Sequence, residues 1–561
     1  MMKKPNPWPG RIESPAPATS RGTVLSPWFW VMLAAPVMVR CFSRGVSYWP
    51  VLDDNNMYGM FSQLGVAEVW RAYPDFFMTR PAAVAFDVLF ISRLWAAPWL
   101  VAAVMASLSV LFLRLVHHTL ESLGIPVGAF ALVCLALDPF NLEAVYWLAA
   151  SSRILMGCLG AFASLALVLP LLGRDGVKPR HPVMRGVAFW AVNLVSFGFY
   201  EQTLVLSLFL CGTAILFFSH GAKRRLWLLV PLCNLLLIGG YYLANAGRGN
   251  MAQRGALVRD GIRQHLSQVA KNAYRKLFPQ HALFVRDTSQ AGLHLATGEQ
   301  AWLLLALFVL LAAGLALLAR SRRPSGAYRS VRPLLLKLLA GLSLLVVPLA
   351  PFFLLADGYM AIRNFFPSMI GLALLLDLVA DVLASAKGWR IAAQILVGFA
   401  AALCLLGSLS EIRDYQAVSR KDGEIVAAWS RAVVEAESEA GRVDRVVLLN
   451  VRERYPALVA PHFSNCTAAD WTLMGAVGAR AGRNMSRSAS VVKHGGIMPQ
   501  TEVDDKALLL GIDEAGGGIV RLRVGKPGPD GTTPLTDRQG KLFGSLRSTD
   551  EGTVFARAGE D

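Results

Sequence analysis

The chain has 561 residues, of which 54% are hydrophobic and only 17% charged, against roughly a quarter charged in an ordinary soluble domain. Mean hydropathy is +0.45, and the apolar residues gather in long runs rather than at helical or strand periods. This excludes a soluble enzyme, a disordered chain and a secreted disulfide scaffold, and leaves a polytopic membrane protein. The formal net charge of +17 fits lysine and arginine collecting in cytoplasmic loops and does not require nucleic acid.

A helix crosses the hydrocarbon core in about 20 apolar residues. That length predicts about eleven spans, centred near residues 26–42, 94–116, 124–137, 152–172, 187–199, 202–218, 226–244, 301–319, 334–355, 364–386 and 391–409. Residues 82–92 are also apolar and read as a partial span or an interfacial helix. The first run is an anchor rather than a signal peptide, because its charged lead is long and no A-x-A site follows. Basic residues then set the orientation. Lys3, Lys4, Arg11 and Arg21 precede the first span; Arg174, Lys178, Arg180 and Arg185, then Lys223, Arg224 and Arg225, then Arg320, Arg322, Arg323, Arg329 and Arg332, then Lys387 and Arg390 occupy later loops. All fall on one side of the predicted bundle, which positive-inside bias makes cytoplasmic.

The expected organisation is an all-α polytopic membrane protein with a small soluble α/β appendage. Residues 1–25 form a cytoplasmic tail and 26–409 the transmembrane domain, with extracytoplasmic loops at 43–81 and 245–300. Residues 410–561 form an extracytoplasmic soluble domain, with a helix-like stretch at 424–440, a strand-like run Val446-Val447-Leu448-Leu449 and a Gly/Pro/Asp-rich flexible tail from 512. The seven cysteines include no C-x-x-C pair and the nine histidines no HExxH. The cysteines read as small apolar packing residues.

Ionisable residues at the membrane face of apolar helices need a reason to be there. Five segments on the predicted outer side hold them. The first is Tyr48-Trp49-Pro50-Val51-Leu52-Asp53-Asp54-Asn55-Asn56. Its adjacent carboxylates can raise one another's pKa and supply a general base, and they are also candidate metal ligands. The second is Thr79-Arg80-Pro81, a helix start with Pro in the first turn. The third is Asp138-Pro139-Phe140-Asn141-Leu142-Glu143, followed by Ser151-Ser152-Arg153. The fourth is Tyr200-Glu201-Gln202-Thr203, and the fifth runs from Asp357 through Arg363 to Pro367. Acids together with convergent arginines suit an anionic phosphate leaving group and a hydroxyl or water acceptor, the guanidinium groups neutralising phosphate and a carboxylate taking the proton.

The order of these motifs resembles the GT-C superfamily of polytopic, lipid-phosphate-sugar-dependent glycosyltransferases. It is most similar to the protein O-mannosyltransferases and the transmembrane and tetratricopeptide-repeat O-mannosyltransferase branch, without the repeats. The likeness covers roughly residues 25–410. Asp53-Asp54 match the family's acidic pair and Arg80-Pro81 its Arg-Pro. Asp138 to Val145 with Ser152-Arg153-Ile154-Leu155 match its H-P-x-x-x-E-A-V and G-R-x-x-L segments. Tyr200-Glu201-Gln202-Thr203 match K-E-T in part, and Arg363 to Ser368 match R-x-x-Y-x-P-S. Asp138 stands where the family has His, Ser152 where it has Gly and Tyr200 where it has Lys, and Gln202 is inserted.

The resemblance implies a GT-C-like fold. It implies inverting transfer of a sugar from a polyprenyl-phosphate donor to a protein, glycan or lipid acceptor on the outer face. Asp53 or Asp54 would be the base, Glu143 would position the acceptor or a metal, and Arg80, Arg153 and Arg363 would hold the lipid phosphate, with Glu201 beside them. A divalent metal stays open, since some members use one and others do not. Lys271, Arg275 and Lys276 in the 245–300 loop share a helical face and are candidates for lipid headgroups or the donor. The composition points to a bacterial inner membrane. Two other readings stay open. One is a transporter or flippase, which would need charges near the bilayer midplane and paired, interrupted helices in two halves. Most charges instead sit at span ends, with Asp87, Asp377 and Asp381 the exceptions near apolar stretches and Asp381 close to the cytoplasmic end. The other is a relative that binds a lipid-linked sugar without turning it over or acts as an assembly scaffold.

Overall fold

A computed structural model describes residues 25, 27–43, 45–55, 59, 61–72, 74–173, 180–219, 221–246, 248, 256–296, 331–356, 359–385, 390–440, 445–451, 465–466, 470–481, 489–493, 497–498, 507–513, 518–549 and 552–558. The N-terminal tail, the basic residues from Arg320 to Arg329, Asn56, Asp357 and the expected span at 301–319 lie outside the described residues.

The chain is an integral membrane protein built on α-helices. Helix α1 (Pro27–Phe42) leads into the acid motif. The first loop then carries α2 (Val66–Ala72), α3 (Pro74–Thr79) and α4 (Pro81–Phe86). The expected partial span at 82–92 is broken: α4 passes into a π-helical turn, Asp87–Ile91, and a 3-10 turn, Ser92–Leu94. Next come α5 (Pro98–Ser122), α6 (Ala129–Leu137), α7 (Leu142–Val145), α8 (Leu148–Ser151), α9 (Ile154–Val168), α10 (Pro182–Phe197), α11 (Glu201–Phe218) and α12 (Gly221–Asn245). After these come α13 (Ile262–Arg275), α14 (His281–Ala296), α15 (Val331–Val346), α16 (Ala350–Leu354), α17 (Phe366–Ser385) and α18 (Arg390–Ala440).

Among the described residues, six stretches are long and apolar enough to cross a bilayer: Pro98–Ser122, Leu148–Leu172, Glu201–Phe218, Arg224–Asn245, Val331–Leu354 and Ile362–Leu383. Helices α1 and α10 are apolar but shorter, at 16 residues each. The expected count of eleven is therefore not reached among the described residues. The run at 124–137 yields only the nine residues of α6, about 14 Å at 1.5 Å per residue and half the hydrocarbon thickness. It stops because Asp138 precedes Pro139, which disfavours helical backbone at the residue before it, and Asp138 indeed leaves the helix at ψ 122°. The run at 391–409 continues past its apolar part into the 51 residues of α18.

Helices α15 and α17 cross where Gly341 faces Gly371, and a Cβ on Gly371 would collide with the backbone of Leu345. Close backbone approach at small residues is the common basis of helix association in lipid. Beside this crossing, Lys337 pairs with Asp377 at 2.5 Å and Asp381 at 2.7 Å. Asp377 also accepts from Gly128 N at 2.6 Å and Ala131 N at 3.4 Å, so it caps the start of α6. Two of the intramembrane acids singled out for a transporter thus sit in a buried, mutually satisfied cluster.

The C-terminal domain is α/β. Strand β1 (Arg445–Val451) lies parallel between β2 (Ala489–Lys493) and β4 (Ala507–Asp513), and β4 pairs antiparallel with β5 (Gly518–Arg521). A second, antiparallel sheet holds β3 (Ile497–Met498), β6 (Arg523–Val524), β7 (Thr532–Thr536), β8 (Leu542–Thr549) and β9 (Gly552–Arg557) in the order β3-β9-β8-β7-β6. One helix, α19 (Asp470–Ala481), packs on α18. The region after 512, expected as a flexible tail, is instead largely sheet. Leu522, Leu535, Leu546 and Phe555 turn inward onto Val447, Leu449 and Leu509, which gives a Gly/Pro-rich segment an apolar face to fold against.

Candidate functional site

The two adjacent acids have different surroundings. Asp54 is fully buried. Its Oδ2 accepts from the Tyr48 hydroxyl at 2.5 Å and from Val51 N at 3.2 Å, and its Oδ1 from Ala149 N at 2.8 Å. The Tyr48 oxygen accepts in turn from Leu148 N at 2.9 Å. Asp54 therefore ties the first loop to the start of α8. Burial pushes its carboxyl up to about 8, with the three donors pulling it back and the Asp53 charge adding to the rise. Asp53 is only partly buried, and its charge bears on Arg363.

Glu143 lies in the first turn of α7 and is nearly buried. Its Oε1 takes a hydrogen bond from the Arg363 guanidinium at 2.5 Å, and its Oε2 one from Arg363 N at 3.3 Å. The guanidinium stands over the Trp147 ring, 4.8 Å from its centroid. Lys276 opens the π-helical turn that follows α13 and donates to the carbonyl of Met360, with Glu143 and Arg363 close enough to act on its charge. Burial holds its ammonium below the usual lysine range, while Glu143 opposes that.

Arg80 precedes Pro81 at the start of α4, and Glu201 opens α11, where an acid favours the helix dipole. The two form a fork, Nε to Oε1 and Nη2 to Oε2, each at 3.2 Å. The guanidinium also covers the Tyr200 ring at 4.2 Å. Burial works against this cation, but Glu201 and Tyr200 more than offset it and hold its pKa above the ordinary arginine value. The Tyr200 hydroxyl accepts from Asn364 Nδ2 at 2.7 Å, and Asn364 is the chain neighbour of Arg363. Gln202 secures the same junction by donating to the carbonyls of Pro348 at 3.0 Å and Asn364 at 2.8 Å. Asp53, Glu143, Arg363, Tyr200, Arg80 and Glu201 thus form one continuous charged strip drawn from five separate parts of the chain.

Three of the expected residues have other places. Arg153 pairs with the buried Asp87 at 3.3 Å and donates to the Ala149 carbonyl, behind the acid loop. This is also the partner of Asp87, the third intramembrane acid. Lys271 and Arg275 are exposed on α13, and it is their neighbour Lys276 that turns inward. Tyr48, Trp147 and Asn364, which stand inside the five predicted outer segments without a role of their own, also belong to the site, and His281 pairs with Asp138 of the third segment. His281 Nε2 lies 2.7 Å from Asp138 Oδ2 and its ring 4.9 Å from that of Phe140. Burial lowers the His281 pKa, but Asp138 raises it further, so the net shift is upward.

Both Asp54 oxygens already accept hydrogen bonds from donors. Among the described residues no group of three His, Cys, Asp or Glu side chains is arranged to hold a metal ion.

Fold and site together define an integral membrane protein with a charged cluster where its helix ends meet the first loop. No family model matches the chain, and no curated protein does. Among solved structures, the crystal structure of ArnT from Cupriavidus metallidurans bound to undecaprenyl phosphate aligns with 83% of this chain and 85% of its own, at 13% identity and a TM-score of 0.31.

Proposed function

We propose that the protein is a GT-C-type membrane glycosyltransferase that moves a sugar from a polyprenyl-phosphate donor to a hydroxyl acceptor at the outer face, with inversion. The observation that carries this reading is the charged strip itself, in which the charge of a partly open carboxylate, Asp53, bears on Arg363, and Lys276 bears on the same Arg363 and on Glu143. In the reaction the acceptor oxygen attacks the anomeric carbon while its proton passes to the Asp53 carboxylate. The bond from that carbon to the phosphate oxygen breaks, and the charge left on the lipid phosphate is met by the cations. Arg80 and Arg363 are each held by a glutamate. Lys276 has a carbonyl as its hydrogen-bond partner, so it is the cation with most to give to a phosphate. Asp54, Tyr48 and the Arg153–Asp87 pair hold the loop that carries Asp53. No step is routed through a metal.

The test is transfer from a labelled polyprenyl-phosphate hexose in proteoliposomes, with total membrane lipid and protein as acceptors. Wild type should transfer the label and Asp53→Asn should not. Full activity in the Asp53→Asn, Asp54→Asn double variant would sink the mechanism. Donor movement across the bilayer without bond cleavage would support a flippase, and donor binding without turnover would support a non-catalytic relative.

A further inference from the structure

Helix α18 runs without a break from the bundle into the C-terminal domain, and on the way it reaches the acid loop once through Tyr146 and once directly, at Trp49. Tyr415 is fully buried. Its ring meets that of Tyr146 edge-on, with centroids 5.1 Å apart. Tyr146 lies 5.1 Å from Tyr48, and Tyr48 holds Asp54 through its hydroxyl. Further along α18, Arg420 reaches to 5.5 Å from the centroid of Trp49, the chain neighbour of Tyr48.

Beyond these contacts α18 is fixed to the domain. Asp422 accepts from Cys466 N at 3.0 Å, and Trp429 and Val433 share an apolar cluster with Val446, Leu448, Leu473 and Val477. The domain also touches the loop directly: a Cβ on Gly59 would stand 2.9 Å from the Cβ of Ala479 in α19.

We propose that Tyr415 and Arg420 are positioning residues through which the C-terminal domain sets the placement of the Asp53–Asp54 loop. Aromatic rings packed edge-on or tilted against one another in a close-packed interior leave one another no room to change rotamer. A shift or rotation of α18 therefore has to move Tyr146 and Tyr48, and with them the hydrogen bond to Asp54. An ordinary row of core rings would end in apolar side chains. This one ends on a carboxylate and begins on the helix that carries a separate domain. The consequence for transfer rests on the reading of Asp53 as base, whereas the mechanical link does not.

Hydrogen exchange on the full chain in lipid nanodiscs tests the link without an activity assay. In Tyr415→Ala, amides of residues 48–54 and of Leu148 and Ala149 should exchange about tenfold faster or more. Amides of β1 and α17 should stay at the wild-type rate. Tyr415→Phe keeps the ring and should restore wild-type exchange. Arg420→Ala, an exposed position that does not threaten folding, should speed exchange at residues 48–54 alone. If Tyr415→Ala does not fold, the Arg420→Ala result decides. Unchanged exchange at residues 48–54 in Arg420→Ala and in any folded Tyr415→Ala protein overturns the proposal, as does failure of Tyr415→Phe to restore it. A wild-type protein with no transferase activity but with these exchange changes would overturn the assignment of function and leave the coupling standing.

Discussion

At the scale of single residues, neighbouring acids do different work. Asp54 accepts three hydrogen bonds with no solvent exposure. Asparagine there keeps one acceptor oxygen and sets an amide NH2 against N–H or O–H donors, which should cost about 1–3 kcal/mol per unsatisfied donor and lower the melting temperature in detergent. Asp53→Asn should leave the melting temperature near wild type and reduce transfer by roughly a hundredfold or more, the usual contribution of a general base. If the two variants exchange these outcomes, the roles of the two acids are reversed. The His281–Asp138 pair gives a pH dependence of definite sign. The His281 pKa is raised above its ordinary value of 6.5, so the pair's contribution to stability is complete below about pH 6.5 and is lost as pH rises through the raised value. The melting-temperature difference between wild type and His281→Gln should therefore shrink from pH 6 to alkaline pH.

The strip was legible in part because charge is costly beside apolar helices, so Glu143, Glu201, Arg80 and Arg363 stood out from their neighbours. Partnership was not legible. Nothing near Arg153 in the sequence announces Asp87, and nothing near Asp138 announces His281. Lys276 was grouped with Lys271 and Arg275, but adjacent helical residues point about 100° apart. That rotation takes Lys276 round towards the inward Val269-Ala273-Leu277 face and leaves Lys271 and Arg275 exposed.

At the scale of elements, the buried lysine of α15 is the clearest test of packing. Lys337→Met leaves Asp377 and Asp381 close together without their cation, and breaking a buried ion pair from one side costs about 3–5 kcal/mol. Restoring neutrality with Lys337→Met, Asp377→Asn, Asp381→Asn should recover most of the lost thermal stability. A triple variant no better than the single one would show that the ion pairs themselves, and not neutrality alone, hold the crossing. Hydropathy found the long helices of this bundle because apolar length is what the bilayer selects. It overcounted at 124–137, where apolar residues fill a helix buried on nearly all sides between its neighbours. It could not anticipate that α18 continues for some thirty residues past its apolar part, because polar helix and loop look alike to a hydropathy window.

At the scale of the whole molecule, the side of the membrane that holds the C-terminal domain follows from contacts rather than from a count of spans. Gly59 against Ala479 and Arg420 over Trp49 place the domain on the same side as the acid loop. Positive-inside bias predicts that the opposite side, where basic residues open α10 and α12, is the cytoplasmic one. Single cysteines at Val46, beside the acid motif, and at Arg547, in β8, should therefore react with a membrane-impermeant maleimide added outside intact cells. A cysteine at the exposed Met184, in the first turn of α10, should react only after permeabilisation. Native cysteines other than Cys233 are buried, and a Cys233→Ala background removes that one. Labelling at Met184 but not at Val46 would invert the topology and remove the outer-face reaction. Labelling at Val46 but not at Arg547 would instead break the contact between the domain and the acid loop, because two positions on opposite sides of a bilayer cannot share the Gly59–Ala479 junction.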